Sequence, residues 1–299
     1  MCYADFKKIL SFEETVTAIK LMSKRYSFAN EFLIGTSLCG RRIPAVRIGK
    51  ARENVLFCAS FHGNESITTP LLLKFANEVC FAVSENKSYC GIPMRDALRS
   101  RSLVIVPMVN PDGCEIVRCG TAAAGKYQAL AEKLCGGNTD IWKANARGVD
   151  INHNFDADWC QLRNEEMKHG IFGPAPGMFG GYSPCSEPET AALTTLCRLV
   201  RPHHVVALHT QGEVIYYGYG TPSEKETHMA EILAMTSGYE LDTPNELSGS
   251  GGFKDWFSKK YCKPGFTLEC GLGKNPLPEN MLPQLYLKLC ETLAVAAIL

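Results

Sequence analysis

The chain has 299 residues, with 31 Lys+Arg balanced by 31 Asp+Glu and 45% hydrophobic residues, a composition that excludes intrinsic disorder and collagen-like repeats. Zero net charge excludes a general nucleic-acid binder, which carries a basic excess. No apolar run approaches the roughly 18 residues of a membrane span, and the opening Met1–Lys8 segment lacks the apolar stretch and cleavage site of a secretory signal.

In chain order, Ser11 with Glu14 forms a capping box opening a first helix, on which Phe12, Val16, Ile19 and Met22 share one face. Phe32–Thr36 and Ile43–Ile48 read as a strand pair turning at Cys39-Gly40. Further strands are expected at Val55–Phe61, Leu103–Val109, His204–His209 and Phe266–Glu269. The first three are almost continuously apolar, as in strands buried on both faces of a mostly parallel sheet. Helices are expected from Thr69-Pro70, from Ser186 with Glu189 to about Val200, from Thr221-Pro222 with Glu224, and from about Asn280 to Leu299. The polar, Gly-rich stretch 111–185 reads as a long functional loop with one helix near Ala123–Leu134. Alternating strands and helices without a linker make residues 1–299 a single α/β domain, a mostly parallel mixed central sheet flanked by helices, with the helix and strand pair of residues 1–50 as its N-terminal part.

Fourteen cysteines are scattered with no C-x-x-C pair. Several fall inside apolar runs, as Cys58 and Cys197 do, and read as small buried hydrophobes. Without a signal peptide the disulfide reading loses its weight, so a reducing cytoplasm is expected.

In open α/β sheets ligands bind beyond the carboxyl ends of the strands. Here Val55–Phe61 runs into His62-Gly63-Asn64-Glu65, Leu103–Val109 into Asn110-Pro111-Asp112-Gly113, and the last two strands deliver His209 and Glu269. Three H-x-x-[DE] pairs occur: His62/Glu65, His153/Asp156 and His228/Glu231. That motif is common by chance. The last pair falls in an amphipathic helix and reads as a solvated face. The first sits at a strand exit around a freely rotating glycine, and with His209 makes a His₂Glu set that leaves one zinc position open, the hallmark of a catalytic zinc.

These segments, with Gly148–Phe155, His209-Thr210-Gln211-Gly212, Ser250–Trp256 and Phe266–Glu269, resemble the zinc carboxypeptidase (carboxypeptidase A-like) family over nearly the whole chain and in the family's order. Trp142–Asp150, Ser186–Thr190 and Gly273–Pro278 resemble more narrowly the branch that hydrolyses γ-D-glutamyl-diaminopimelate bonds in peptidoglycan peptides. The resemblance implies one Zn²⁺ held by His62, Glu65 and His209, Glu269 as general base, and Asp150 as the carboxylate orienting a ligand histidine. The oxyanion cation falls to Lys143, near the family's usual arginine, or to Arg147. The family's Asn-Arg pair for the substrate carboxylate reads Asn152-His153, and its active-site tyrosine falls on Leu247. Both departures point to a reshaped leaving-group site, where Gln211 and Glu213 are candidates to meet the extra charges of diaminopimelate. The segment Gly120–Asn138 is a candidate lid and Ser248–Gly252 a candidate moving turn.

The function expected is therefore a cytoplasmic zinc metallopeptidase that cuts between γ-D-glutamate and meso-diaminopimelate in small wall-derived peptides. The rivals are a general metallocarboxypeptidase and a non-catalytic protein that binds wall peptides.

Overall fold

The computed structural model describes residues 6–242 and 249–299. Eight strands form one mixed sheet: β1 (Ala29–Thr36), β2 (Arg42–Ile48), β3 (Glu53–Ala59), β4 (Arg101–Val106), β5 (His204–His209), β6 (Val214–Tyr217), β7 (Glu240–Asp242) and β8 (Gly265–Glu269). Their order is β1-β2-β4-β3-β5-β8-β6-β7. The apolar strands β4, β3, β5 and β8 are parallel neighbours at the centre, whereas β1/β2, β2/β4 and β6/β8 pair antiparallel. Alternate residues of the central strands serve two cores. Val55, Phe57, Leu103, Ile105, Val206 and Leu208 face one; Leu56, Cys58, Val104, Val106, Val205 and Ala207 face the other. Burial on both faces is why these strands are continuously apolar.

The helices are α1 (Phe12–Arg25), α2 (Thr68–Ser84), α3 (Met94–Ser100), α4 (Pro111–Cys119), α5 (Gln128–Cys135), α6 (Trp159–Lys168), α7 (Pro188–Val200), α8 (Glu224–Ser237), α9 (Phe253–Tyr261) and α10 (Leu282–Ala296). The Ser11/Glu14 capping box is present on α1. Other starts differ from expectation. Helix α2 begins at Thr68, so Pro70 is its third residue. The cap of α7 is Glu187, because the Ser186 hydroxyl donates to the Glu187 carboxylate instead of capping. The cap of α8 is Ser223, which accepts from the Glu226 amide. The stretch 111–185 holds three α-helices rather than one; α4 starts inside the Asn110–Gly113 motif, with Asn110 as its cap and Pro111 in its first turn. Cys58, Cys80, Cys114, Cys135, Cys197 and Cys270 are buried free thiols, and burial pushes the Cys58 and Cys197 thiols up.

From β3 the chain crosses to β4 on one side, while β5 lies on the other. The crevice between the carboxyl ends of β3 and β5 is therefore the topological switch point, and His62, Glu65 and His209 leave the sheet there. The two glycine-bearing turns interlock at this edge. A Cβ on Gly63 would lie 2.4 Å from the Gly113 carbonyl oxygen, and one on Gly113 would lie 2.5 Å from the Ala144 oxygen. Asn110 ties the turns together, donating to the carbonyls of Phe61 (3.0 Å) and Ala144 (3.1 Å). The clash is with backbone that cannot rotate away, so Gly63→Ala and Gly113→Ala each destabilise by about 2–3 kcal/mol, measurable by denaturant unfolding.

Glu189, in the first turn of α7, is fully buried. Burial, with Asp112 and Glu187 nearby, pushes its carboxyl up to about 8 from the usual 4.5. Its proton stabilises the fold fully below the unfolded value, and that stability is lost as pH rises through the folded value. Between about pH 4.5 and 8, the Glu189→Gln variant loses less stability than the parent in urea titrations. Equal slopes would show that Glu189 is ionised throughout.

Candidate active site

The three sequence-predicted ligands converge. One nitrogen or oxygen from each of His62, Glu65 and His209 lies within 4.8 Å of the others, and all three residues are buried. Glu65, on the turn after β3, has one carboxylate oxygen 2.8 Å from His62 Nδ1 and the other 3.0 Å from His209 Nδ1. Both Nδ1 atoms thus point at one carboxylate. On the far edge of His62, Nε2 meets Asp150 Oδ1 at 3.1 Å. Asp150 is itself fixed by the amides of Asn152 (3.1 Å) and Met178 (2.9 Å). The His209 ring stacks on Phe61, centroids 5.1 Å apart, and its Nε2 is buried without a partner among the described residues. Two imidazoles braced on their outer sides, with a carboxylate between them, fit zinc: one donor atom from each residue lies within 4.8 Å of the others, and each Nδ1 is a ligand when the ring proton sits on Nε2.

Burial opposes charge on Glu65, but His62 and Lys143 outweigh it and hold the carboxyl well below the usual range. Lys143 Nζ stands 3.3 Å from Glu65 Oε1. Glu269 pairs in register with His209 across β5 and β8, which sets the expected base beside a ligand. Burial and the neighbouring Glu65 charge push its carboxyl up to about 8.

These groups line one cleft of about 920 Å³. Asn152, His153 and Gln211 line it as expected. His153 is no charged substitute for arginine, since burial lowers its pKa and Nδ1 is engaged by the Met178 carbonyl (3.0 Å) and Glu166 (3.1 Å). Two candidates are corrected. Arg147 does not line the cleft: its guanidinium forks onto both oxygens of Glu187, at 2.7 and 2.6 Å. That leaves Lys143 as the cation beside Glu65. Glu213 sits at a positive-φ turn and pairs with Lys288 of α10, outside the cleft lining. The lid expectation is also revised. Ala131 and Cys135 of α5 pack on Trp142, Ala144 and Ala146, so the insertion buttresses the wall and only Asn138 reaches the cleft. Gly251 is held by bonds with Phe155 and Ala157; Leu247 and Ser248 lie outside the described residues.

The cleft also contains residues the sequence reading did not assign. Lys254 and Asp255, each 4% exposed, form an ion pair in its wall, with Lys254 donating also to the Gly218 carbonyl at 2.7 Å. Adjacent opposite charges opening a helix that is otherwise buried through Phe253, Trp256 and Phe257 were the available signal. Asn275 holds the Thr210 carbonyl at 2.8 Å and reaches Glu65 Oε1 at 3.4 Å.

Because Asp150 orients His62 through Nε2, Asp150→Asn weakens zinc affinity about 10- to 100-fold in competition with a chromogenic chelator. An unchanged affinity would show that the 3.1 Å contact has no role in metal binding.

Residues 15–292 match the family described as Zinc carboxypeptidase. The chain is 38% identical over 276 residues to gamma-D-glutamyl-L-diamino acid endopeptidase 1 of Lysinibacillus sphaericus, covering 90% of this chain and 67% of that one. It is 35% identical over 289 residues to the uncharacterized protein YqgT of Bacillus subtilis, covering 95% and 76%. Among solved structures, carboxypeptidase A from Helicoverpa armigera aligns over 98% of this chain and 74% of its own, with a TM-score of 0.76 at 20% identity. Murein-tripeptide amidase MpaA from Escherichia coli O157 aligns over 88% and 91%, with a TM-score of 0.53 at 25% identity. The fold, the converging His₂Glu set and the match over nearly the full length agree: the chain belongs to the zinc carboxypeptidase family and is a zinc-dependent peptide hydrolase.

Proposed function

We propose that the protein hydrolyses the amide between γ-D-glutamate and meso-diaminopimelate in small wall-derived peptides, and that it does so in the cytoplasm. The carrying observation is the buried Lys254–Asp255 pair in the cleft wall beside Asn152 and His153. Diaminopimelate ends in a second amine and a second carboxylate, and a wall offering both signs suits it, whereas an apolar pocket suits an aromatic or aliphatic C-terminal residue. The names of the Lysinibacillus relative and of the murein-tripeptide amidase support the same substrate class. No helix among the described residues is long and apolar enough to cross a membrane.

His62, Glu65 and His209 would hold the zinc, which would supply Lewis-acid polarisation of a carbonyl and lower the pKa of water. Glu269 takes the proton from the attacking water and returns it to the departing amine, so the peptide bond breaks with no covalent enzyme intermediate. Its place in register with His209 at the ends of β5 and β8 sets it beside the metal site, where one carboxylate can both accept and return that proton. Lys143 neutralises the developing oxyanion as a point charge, without an arginine's bidentate fork. Asn152, whose Oδ1 accepts from the Phe253 amide at 3.0 Å, and His153 are placed against the leaving residue with Gln211.

Zinc-loaded protein is expected to release diaminopimelate from L-Ala-γ-D-Glu-meso-diaminopimelate and to leave an ordinary peptide with a free C-terminus intact. Glu269→Gln retains zinc and loses at least about 100-fold in kcat. Cleavage of the ordinary peptide instead would make the protein a general metallocarboxypeptidase; two intact substrates with zinc bound would make it a binding protein.

A further inference from the structure

A γ-glutamyl bond makes an unusual demand on the acyl side of a peptidase. The glutamate is joined through its side chain, so its α-carboxylate is free and stands a few bonds from the scissile carbonyl. An ordinary peptide carries no charge there. In the free tripeptide the preceding L-alanine adds a terminal ammonium. The acyl half thus presents one negative and one positive group.

Hydrogen bonds tie the cleft lining to the ligands along two routes. On the His62 side, Asp150 leads through Asn152 to Phe253, and so to Lys254 and Asp255. On the Glu65 side, Asn275 is clamped to Thr210 and Glu65, which places its neighbour Lys274 at the cleft. Asn64, next to Glu65 in the chain, holds the Asp140 carbonyl at 2.9 Å and so fixes Asp140 in the same lining. The charged side chains differ in their engagement. Lys143 is paired with Glu65 and Lys254 with Asp255. Lys274 and Asp140 have no ion-pair or side-chain hydrogen-bond partner among the described residues, and both are exposed.

Resting on the reaction proposed above, we propose that Lys274 and Asp140 read the acyl half of the substrate, Lys274 binding the free α-carboxylate of γ-linked D-glutamate and Asp140 the terminal ammonium of L-alanine. The signs match one to one. The arrangement selects free peptides over those whose alanine is still acylated, and acidic glutamyl residues over α-amidated ones. Both are specificity residues; neither touches the reacting atoms.

The test is a set of four peptides: L-Ala-γ-D-Glu-meso-diaminopimelate, its glutamyl α-amide, its N-acetyl derivative and the doubly blocked form. Wild-type kcat/KM is expected to favour acid over amide about tenfold, and free amine over acetyl by a similar factor. Lys274→Met brings the acid-to-amide ratio near one and keeps the amine preference; Asp140→Asn does the reverse. Calorimetry with the acyl product L-Ala-D-Glu gives a reading independent of turnover, with weaker binding in both variants. Ratios and product affinity that stay at wild-type values in variants with normal zinc content and thermal stability overturn the proposal. Wild-type protein that leaves all four peptides intact overturns the reading of the reaction itself, and this inference with it.

Discussion

The structure turns on keeping one carboxylate charged in the interior. Glu65 is 1% exposed, and an ion so buried costs several kcal/mol unless its oxygens are paired. Five groups approach it: His62 and Lys143, which flank the adjoining turn, His209 and the Thr210 amide at the end of β5, and Asn275 from the loop after β8. Those groups come from widely separated parts of the chain. The sheet order, the interlocked glycine turns and the Asn275 clamp are what bring them to one point.

The same demand explains the residues behind the ligands. Each imidazole needs its outer edge fixed if Nδ1 is to face inward, and Asp150 and Phe61 provide this by a hydrogen bond and a stacked ring. Asp150 is in turn held by backbone amides of the segments that carry Asn152 and Met178. Asn152, proposed above to meet the leaving residue, is therefore held by the hydrogen-bond chain that orients His62. The proposed specificity residues and the metal site share one scaffold, which limits how far one can change without the other.

Much of this was legible in the residues. The strands β3, β4 and β5 carry their burial on both faces as continuous apolar runs, and His62, Glu65, His209 and Glu269 lie where such strands end, so both the sheet centre and the site's rim could be read. The Ser11/Glu14 box is local chemistry and holds. Less was legible where one local signal fits two structures. Ser186 with Glu189 has a cap's spacing, yet the Ser186 hydroxyl meets Glu187. The stretch 111–185 reads as a loop with one helix because Gly and polar residues dominate it, yet Asn110 caps α4 and Gly113 is inside it.

What the sequence by itself determined is the inventory and its rough address: a parallel sheet core, a His₂Glu set and Glu269 at strand ends, and the family's motifs in order. Tertiary structure alone decided which charges pair with which. Arg147 and Lys143 are four residues apart and equally cationic, but Glu187 captures the first and Glu65 holds the second. Glu213 is four residues from His209, but Lys288 of a distant helix claims it. Lys254 and Asp255 enter the cleft wall because Phe253, Trp256 and Phe257 pack their helix into the core. An ion pair depends on separations of a few ångströms between groups remote in the chain, and no local pattern of residues encodes that distance.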